Sequence, residues 1–171
     1  MRPPVAGARP IAVELLVEAG DWPPVSELEA ITARVVEAAV AAVRPGLANE
    51  LAEGSELSLV FTDDAHVRSL NRRFRKQDHA TNVLSFPSAA APNGRLGPIL
   101  GDVVLARETV FREAEAGGLT IEAHLAHLIV HGFLHVLGYD HEDEAEASAM
   151  ERLETAILSG LGIADPYSGP P

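Results

Sequence analysis

The sequence predicts a single α+β domain with a sheet of about four strands and about five helices. Three observations support this fold class. Segments typical of strands and of helices are interspersed along the chain instead of forming separate blocks. The length of 171 residues suits one core, and 47% of the residues are hydrophobic, which is enough to fill it. Neither terminal segment resembles a linker and no internal repeat is present, so one domain is predicted to span residues 1–171.

Four segments are predicted to be strands. Residues 56–61 alternate between polar and apolar side chains, which is the period of a strand with one buried face. Residues 11–17 show the same alternation less regularly. Residues 82–86, which precede a proline, and residues 101–105 complete the set.

Five segments are predicted to be helices, and capping residues mark where they begin. Ser26 and Glu29 form a capping box that opens an Ala- and Val-rich helix, which should end at the next Pro-Gly pair. Thr62 or Asp63 caps the second helix, which should run to about Phe74.

The other three helices follow in the C-terminal half. One runs from about Arg107 to the glycine pair at 117–118. Thr120 caps the most apolar helix, which continues to about Leu137. Residues 142–158 form the last helix, and its acidic first turn is favoured by the helix dipole.

Three segments are predicted to lack regular structure. Residues 1–10 contain three prolines, and residues 163–171 are rich in Pro and Gly, so both are predicted to be flexible tails. Residues 88–98 form a loop of small residues rich in Ala, Gly and Pro.

Composition excludes several functional classes. The formal net charge of -12 excludes a generic basic nucleic-acid binder, so any nucleic acid must bind through a local patch. The chain has no cysteine, so disulfides are excluded and a metal site must use histidine and carboxylate ligands. We expect a cytoplasmic protein, because the N-terminus lacks the apolar region of a secretory signal and no apolar run reaches about 18 residues, the length needed to span a membrane.

Three histidines predict a metal site. His131 and His135 are four residues apart, which places them about 40° apart on one face of a helix. His141 can join them only if the helix ends first, and Gly138 is the residue that permits such an ending. The order of these residues matches the ligand spacing of metzincin proteases. Three ligands leave a fourth position for water, so we expect one catalytic Zn²⁺ per chain.

Two features depart from the metzincin pattern. Metzincins place a glutamate directly after the first histidine as general base, but this chain has Gly132 there. Met150 lies in a predicted helix and does not form the Met-turn of that class. Both differences count against a peptidase, which would lack its proton shuttle.

Other side chains near the histidines are candidates for supporting roles. His124 and His127 lie upstream on the same helix face, where they either orient the ligands or are polar residues at the edge of the site. Asp140 either accepts a hydrogen bond from a ligand ring or forms the turn.

Basic residues are concentrated in one short stretch. Only 13 residues are Lys or Arg, and five of them fall within nine positions: Arg68, Arg72, Arg73, Arg75 and Lys76. Such a patch can hold phosphates, but composition alone favours a solvated helix face paired with acidic neighbours.

Several segments of the chain resemble the diagnostic motifs of a known family. Residues 131–141, HGFLHVLGYDH, resemble the signature of the YbeY family of bacterial rRNA-processing endoribonucleases. Residues 70–75 and 81–87 resemble that family's second diagnostic stretch, and residues 101–103 resemble a third. The similarity covers about residues 11 to 160, with a conservative Val136 where Leu is usual.

The resemblance implies a fold, an activity and residue roles. The family fold is zincin-like, with a mixed sheet and a metal-binding helix, which here lies near the C-terminal third. The family acts as a metal-dependent, single-strand-specific endoribonuclease implicated in 16S rRNA 3′-end maturation and ribosome quality control. Its zinc ligands correspond to His131, His135 and His141, and its functionally important arginine to Arg75. It lacks the metzincin glutamate, which agrees with Gly132.

The resemblance, together with the histidine spacing, therefore implies zinc-dependent cleavage of RNA phosphodiester bonds. Arg75 is the expected catalytic residue. The expected partners are ribosomal RNA and the ribosome or a small-subunit protein. Asp140 and Asp102 are candidates for the general base, and we expect RNA-binding roles for Arg72, Arg73 and Lys76.

Two alternative functions use the same residues. One is a zinc peptidase-like hydrolase, which the ligand spacing supports. The other is a non-catalytic ribosome-assembly factor with a structural zinc, in which residues 68–76 dock rRNA or a ribosomal protein. A three-histidine site also accepts nickel, copper or iron.

Overall fold

The structure is a computed structural model that describes residues 11–46, 51–52, 54–88 and 96–167. It contains four strands and five α-helices in these ranges, with a short 3₁₀ helix at Arg44–Gly46. The elements in chain order are β1 Ile11–Val17, α1 Val25–Val43, β2 Ser55–Thr62, α2 Asp64–Arg75, β3 Val83–Pro87, β4 Ile99–Ala106, α3 Arg107–Ala116, α4 Ile121–Val136 and α5 Glu144–Gly160. The predicted fold class and the order of elements are confirmed.

The four strands form one mixed sheet in the order β1-β2-β4-β3. β1 pairs with β2 and β2 with β4 in parallel, whereas β3 runs antiparallel to β4. β3 is therefore an edge strand. Together with β4, it contacts α4, the helix of His131 and His135.

The two faces of the sheet carry different helices. Val103 and Leu105 of β4 belong to the main hydrophobic core, which also contains buried residues of α1, α4 and α5. Val104 and Ala106 alternate with them and pack with Val67 of α2 in a second, smaller cluster. Successive side chains of a strand point to opposite faces. α2 and α4 therefore lie on opposite faces of the sheet.

Two of the three predicted helix caps are confirmed. Asp63 accepts a hydrogen bond from the backbone N–H of His66, and Thr120 accepts one from the backbone N–H of Ala123. The capping box at Ser26 is wrong. α1 begins earlier, at Val25, and its N-cap Pro24 makes no side-chain cap bond. The fixed φ of proline starts the helix before Ser26 can act as a cap.

Parts of the predicted irregular segments lie outside the described residues. These parts are residues 1–10, 89–95 and 168–171, so the tail predictions there stay predictions. Within the predicted C-terminal tail, residues 163–167 are described and contact the domain. Ile163 packs against the main core, and its backbone N–H donates to the carbonyl of Leu158 over 2.9 Å.

Within the described ranges, no single helix has the length and apolar character needed to cross a membrane. α3 and α4 meet these criteria only as a pair, and the pair is bent by 119° at its junction.

α4 lies unusually close to the sheet at Gly132. A Cβ atom at this position would come within 2.7 Å of Val103 Cγ1 and 3.2 Å of Ser85 Oγ. The hydroxyl of Ser85 also donates to the carbonyl of Gly132 over 3.2 Å. The helix backbone therefore rests directly on β3 and β4, and no side chain fits between them.

We expect Gly132→Ala to destabilise the fold by about 2 kcal/mol, because the added methyl group overpacks the contact with Val103. Gly160→Ala is the matched control. Gly160 is also helical, but a Cβ atom there meets nothing within 4 Å, so we expect a gain of about 0.5 kcal/mol. Urea unfolding of both variants measures the two changes. Equal stabilities of the two variants would contradict the close packing.

Candidate metal centre

The structure brings the three predicted ligands together. One nitrogen from each of His131, His135 and His141 lies within 4.8 Å of the other two. Nε2 of His131 and Nε2 of His135 are 3.1 Å apart. The first two rings are partly buried and the third is exposed, so the cluster opens to solvent on the side of His141.

The turn after α4 delivers His141. Gly138 has a φ of +104°, a conformation that favours glycine. Its N–H donates to the carbonyl of His135, and the N–H of Tyr139 donates to the carbonyl of Leu134, each over 3.0 Å. This pair of hydrogen bonds is a Schellman motif, which ends a helix and reverses the chain. The prediction that a left-handed Gly138 ends the helix before His141 is confirmed.

The donor set fits a zinc ion. Two imidazole nitrogens bound at about 2.0–2.1 Å in tetrahedral geometry lie about 3.3 Å apart. The observed separation of 3.1 Å between the two Nε2 atoms is close to that value. Burial, together with the charges of His131 and His141, holds the pKa of His135 below its usual range. His135 is therefore neutral at pH 7, which is the form that binds metals.

Glu154 of α5 contacts the histidine cluster through its ligand His131. Its side chain is completely buried. One carboxylate oxygen lies 2.7 Å from Nδ1 of His131. The other lies 3.2 Å from Nε2 of His127 and accepts a hydrogen bond from the hydroxyl of Tyr167. Burial alone would raise the pKa of Glu154, but the hydrogen bonds from His127, His131 and Tyr167 lower it to about 2. Glu154 is thus a buried carboxylate anion.

This anion fixes the orientation of a ligand. The carboxylate accepts a hydrogen bond from the N–H at Nδ1 of His131, which leaves the lone pair on Nε2 directed into the cluster. Sequence reasoning missed Glu154, although a signal was present. The buried residues of α5 are Met150, Glu154, Ile157 and Leu158, so a glutamate occupies the apolar stripe of an amphipathic helix.

The other supporting candidates have different neighbours. His127 shares Glu154 with His131, so it lies beside the cluster as predicted. Asp140 accepts the backbone N–H of His141 over 2.7 Å and so forms the turn. His124 is buried next to Glu113, with Nε2 3.7 Å from a carboxylate oxygen, and burial lowers its pKa. Asp102 is exposed on β4.

The predicted basic residues lie on α2, across the sheet from α4. Arg75 is the exposed last residue of this helix and makes no hydrogen bond or ion pair with the described residues. Arg68 pairs with Asp78 over 2.8 Å. Arg72 and Arg73 line an open cavity of about 620 Å³ together with that pair. The structure does not place these side chains among the histidines.

Comparison with known proteins shows the family of the chain. The model of the family described as Endoribonuclease YbeY matches residues 24–162. The chain belongs to the endoribonuclease YbeY family. An Endoribonuclease YbeY from Rhizobium meliloti is 52% identical, covering 93% of this chain and 96% of the relative. Another from Azorhizobium caulinodans is 49% identical, covering 92% of this chain and 97% of the relative.

A solved structure supports the same fold. The solution structure of a protein from Thermotoga maritima matches with a TM-score of 0.55 and 20% identity. The match covers 92% of this chain and all of the other. The sheet and helices described above, with the histidine helix near the C-terminal third, agree with the zincin-like fold expected of a YbeY chain.

We expect Glu154→Gln to weaken zinc binding by about 10- to 100-fold, because a neutral amide no longer polarises the His131 ring. Glu151→Gln is the matched control, since Glu151 is exposed on the same helix. Competition with a chromophoric zinc chelator gives both affinities. If Glu154→Gln and Glu151→Gln bind zinc equally well, Glu154 does not orient the ligand.

Proposed function

We propose that this protein is a zinc-dependent endoribonuclease that cleaves single-stranded RNA. We further propose that it acts in the cytoplasm, in maturation of the 16S rRNA 3′ end and in ribosome quality control, with ribosomal RNA and a ribosomal small-subunit protein as partners. The observation that carries the proposal is the open three-histidine cluster in a chain of the YbeY family. The relatives that bear the name Endoribonuclease YbeY support the choice of RNA as substrate.

The residues of the cluster have separate tasks. His131, His135 and His141 would hold the ion, with Glu154 keeping the proton on Nδ1 of His131. When bound, zinc supplies Lewis-acid chemistry that polarises a phosphate oxygen and makes water a better nucleophile at neutral pH. The exposed ring of His141 marks the side from which substrate approaches.

The cations of α2 would act on the phosphates. Arg75 is assigned the stabilisation of negative charge that develops on the scissile phosphate, because a guanidinium donates two parallel hydrogen bonds to phosphate oxygens. Since Arg75 ends α2, on the other face of the sheet from the histidines, this role requires its side chain to reach past the edge strand β3 to the phosphate bound at the cluster. Arg72, Arg73 and Lys76 are assigned the binding of the flanking backbone. All four are exposed and make no ion pair with described residues, so their charge is available to a polyanion.

The packing at Gly132 argues against a peptidase. The peptidase base would have to occupy this position, and a Cβ atom there already lies too close to Val103. The spacing of the histidines therefore does not by itself indicate peptide hydrolysis.

We expect Arg75→Ala to lower the rate of RNA cleavage about a hundredfold without changing zinc content, because Arg75 is no zinc ligand. Arg44→Ala, which removes an exposed arginine after α1, is the control and should cleave at the unaltered rate. Single-turnover cleavage of labelled RNA and elemental analysis give the two quantities. An unimpaired Arg75→Ala enzyme would show that the assigned role is wrong.

We expect a strong chelator to abolish cleavage of rRNA and added zinc to restore it, since three ligands leave a position open for chemistry. A casein digest run in parallel should stay intact. Cleavage of casein instead of rRNA would favour the peptidase.

The double variant His131→Ala/His135→Ala tests the assembly-factor alternative. That alternative requires that the variant associates with the ribosome as the unaltered protein does, and that the unaltered protein has no nuclease activity.

A further inference from the structure

Phe74 is the most exposed aromatic side chain among the described residues, at 58% of its surface. It lies on the last turn of α2, between Arg73 and Arg75. A single exposed apolar residue needs no explanation by itself. The side chains around Phe74, however, indicate which kind of ligand it would contact.

The ring of Phe74 has two described neighbours, the ring of Phe86 and the guanidinium of Arg73. It packs against Phe86 of β3 with ring centroids 5.5 Å apart and planes at 67°. The guanidinium of Arg73 lies 5.2 Å from the Phe74 centroid. The ring is therefore held in place by the sheet while much of its surface faces solvent beside a cation.

The surroundings of Phe74 carry more positive than negative charge, with Asp78 as the acidic neighbour of Arg68 and Arg72. Arg72, Arg73, Arg75 and Lys76 make no ion pair with described residues, and Asp78 is already paired with Arg68. The chain as a whole has a net charge of -12, so the positive charge at this end of α2 contrasts with the charge of the rest of the protein. An exposed aromatic ring among unpaired cations complements a ligand with flat bases and a phosphate backbone.

β3 connects this surface to the histidine cluster. Phe86, which supports Phe74, and Ser85, which contacts Gly132 beside His131, are consecutive residues of this strand. β3 is an edge strand, so a chain that passes around its outer side goes from one face of the sheet to the other. A flexible single strand can bend around such an edge, whereas a duplex is too stiff to do so over a few base pairs.

We propose that Phe74 is a stacking platform for an unpaired nucleobase of the RNA substrate, with the neighbouring cations binding the adjacent phosphates. This inference rests on the proposed endoribonuclease function and specifies how single strands are selected. Stacking on an aromatic ring accepts any base, but only a base that has left the double helix can reach it.

Binding measurements with two ligands of equal length test the platform. One is fluorescein-labelled oligouridylate, and the other is an abasic ribose-phosphate chain of the same charge. The zinc-loaded full chain is titrated and anisotropy is recorded, with the integrity of each ligand checked on a gel. The variants are Phe74→Ala, Phe74→Leu, which keeps an apolar contact with Phe86, and Phe74→Trp. Leu16→Ala is the control, because Leu16 is 53% exposed on β1 at the opposite edge of the sheet.

We expect Phe74→Ala and Phe74→Leu to bind oligouridylate about tenfold more weakly and the abasic chain as the unaltered protein does. Phe74→Trp should bind oligouridylate at least as tightly, with its added tryptophan emission quenched on binding. Leu16→Ala should bind like the unaltered protein. Thermal unfolding confirms that each variant is folded.

Two results overturn the platform. In one, Phe74→Leu binds oligouridylate as tightly as the unaltered protein, which itself binds and cleaves RNA. In the other, both ligands lose affinity equally, which identifies a purely electrostatic or structural effect. In either case the proposed endoribonuclease function survives. A complete lack of oligouridylate binding by the unaltered protein would instead overturn the proposed function.

Discussion

The hydrogen bond between buried Glu154 and His131 is the interaction on which the candidate site depends. An isolated carboxylate would be expensive to bury, so the residue must be satisfied by its neighbours. His131, His127 and Tyr167 together satisfy it, and these partners come from α4 and from the segment after α5. One anion therefore joins α5, α4 and the chain after α5 at the point where the imidazoles meet.

The cluster and the cationic helix are arranged around a single strand. β3 contributes Ser85 to one face of the sheet and Phe86 to the other, and each contacts the helix on its own side. β3 is an edge strand of the sheet formed by the described residues, so these two contacts lie at the same border of that sheet. The metal ligands and the cations of α2 thus lie on opposite faces of the sheet, and different parts of one flexible strand would contact the ligands and the cations that bind flanking phosphates.

Sequence patterns correctly predicted those features that depend on interactions between residues close together in the chain. The caps at Asp63 and Thr120, the glycine turn at Gly138 and the spacing of the histidines all depend on residues a few positions apart. The false capping box at Ser26 failed because Pro24 sets the start of the helix first. Glu154 was missed because its partner His131 is 23 residues away in the chain. The opposite placement of α2 depends on the order of the strands, which no spacing reveals.

The contact between Gly132 and Val103 also bears on how this scaffold evolves. Placing a glutamate after the first histidine would require room that only a smaller residue at position 103 can give. Val103 is fully buried, so trimming it first leaves a void, while enlarging Gly132 first forces the helix off the sheet. Either order of mutation passes through a weakened intermediate. A fitness valley thus separates this histidine helix from one that carries its own proton acceptor, although both hold the same three ligands.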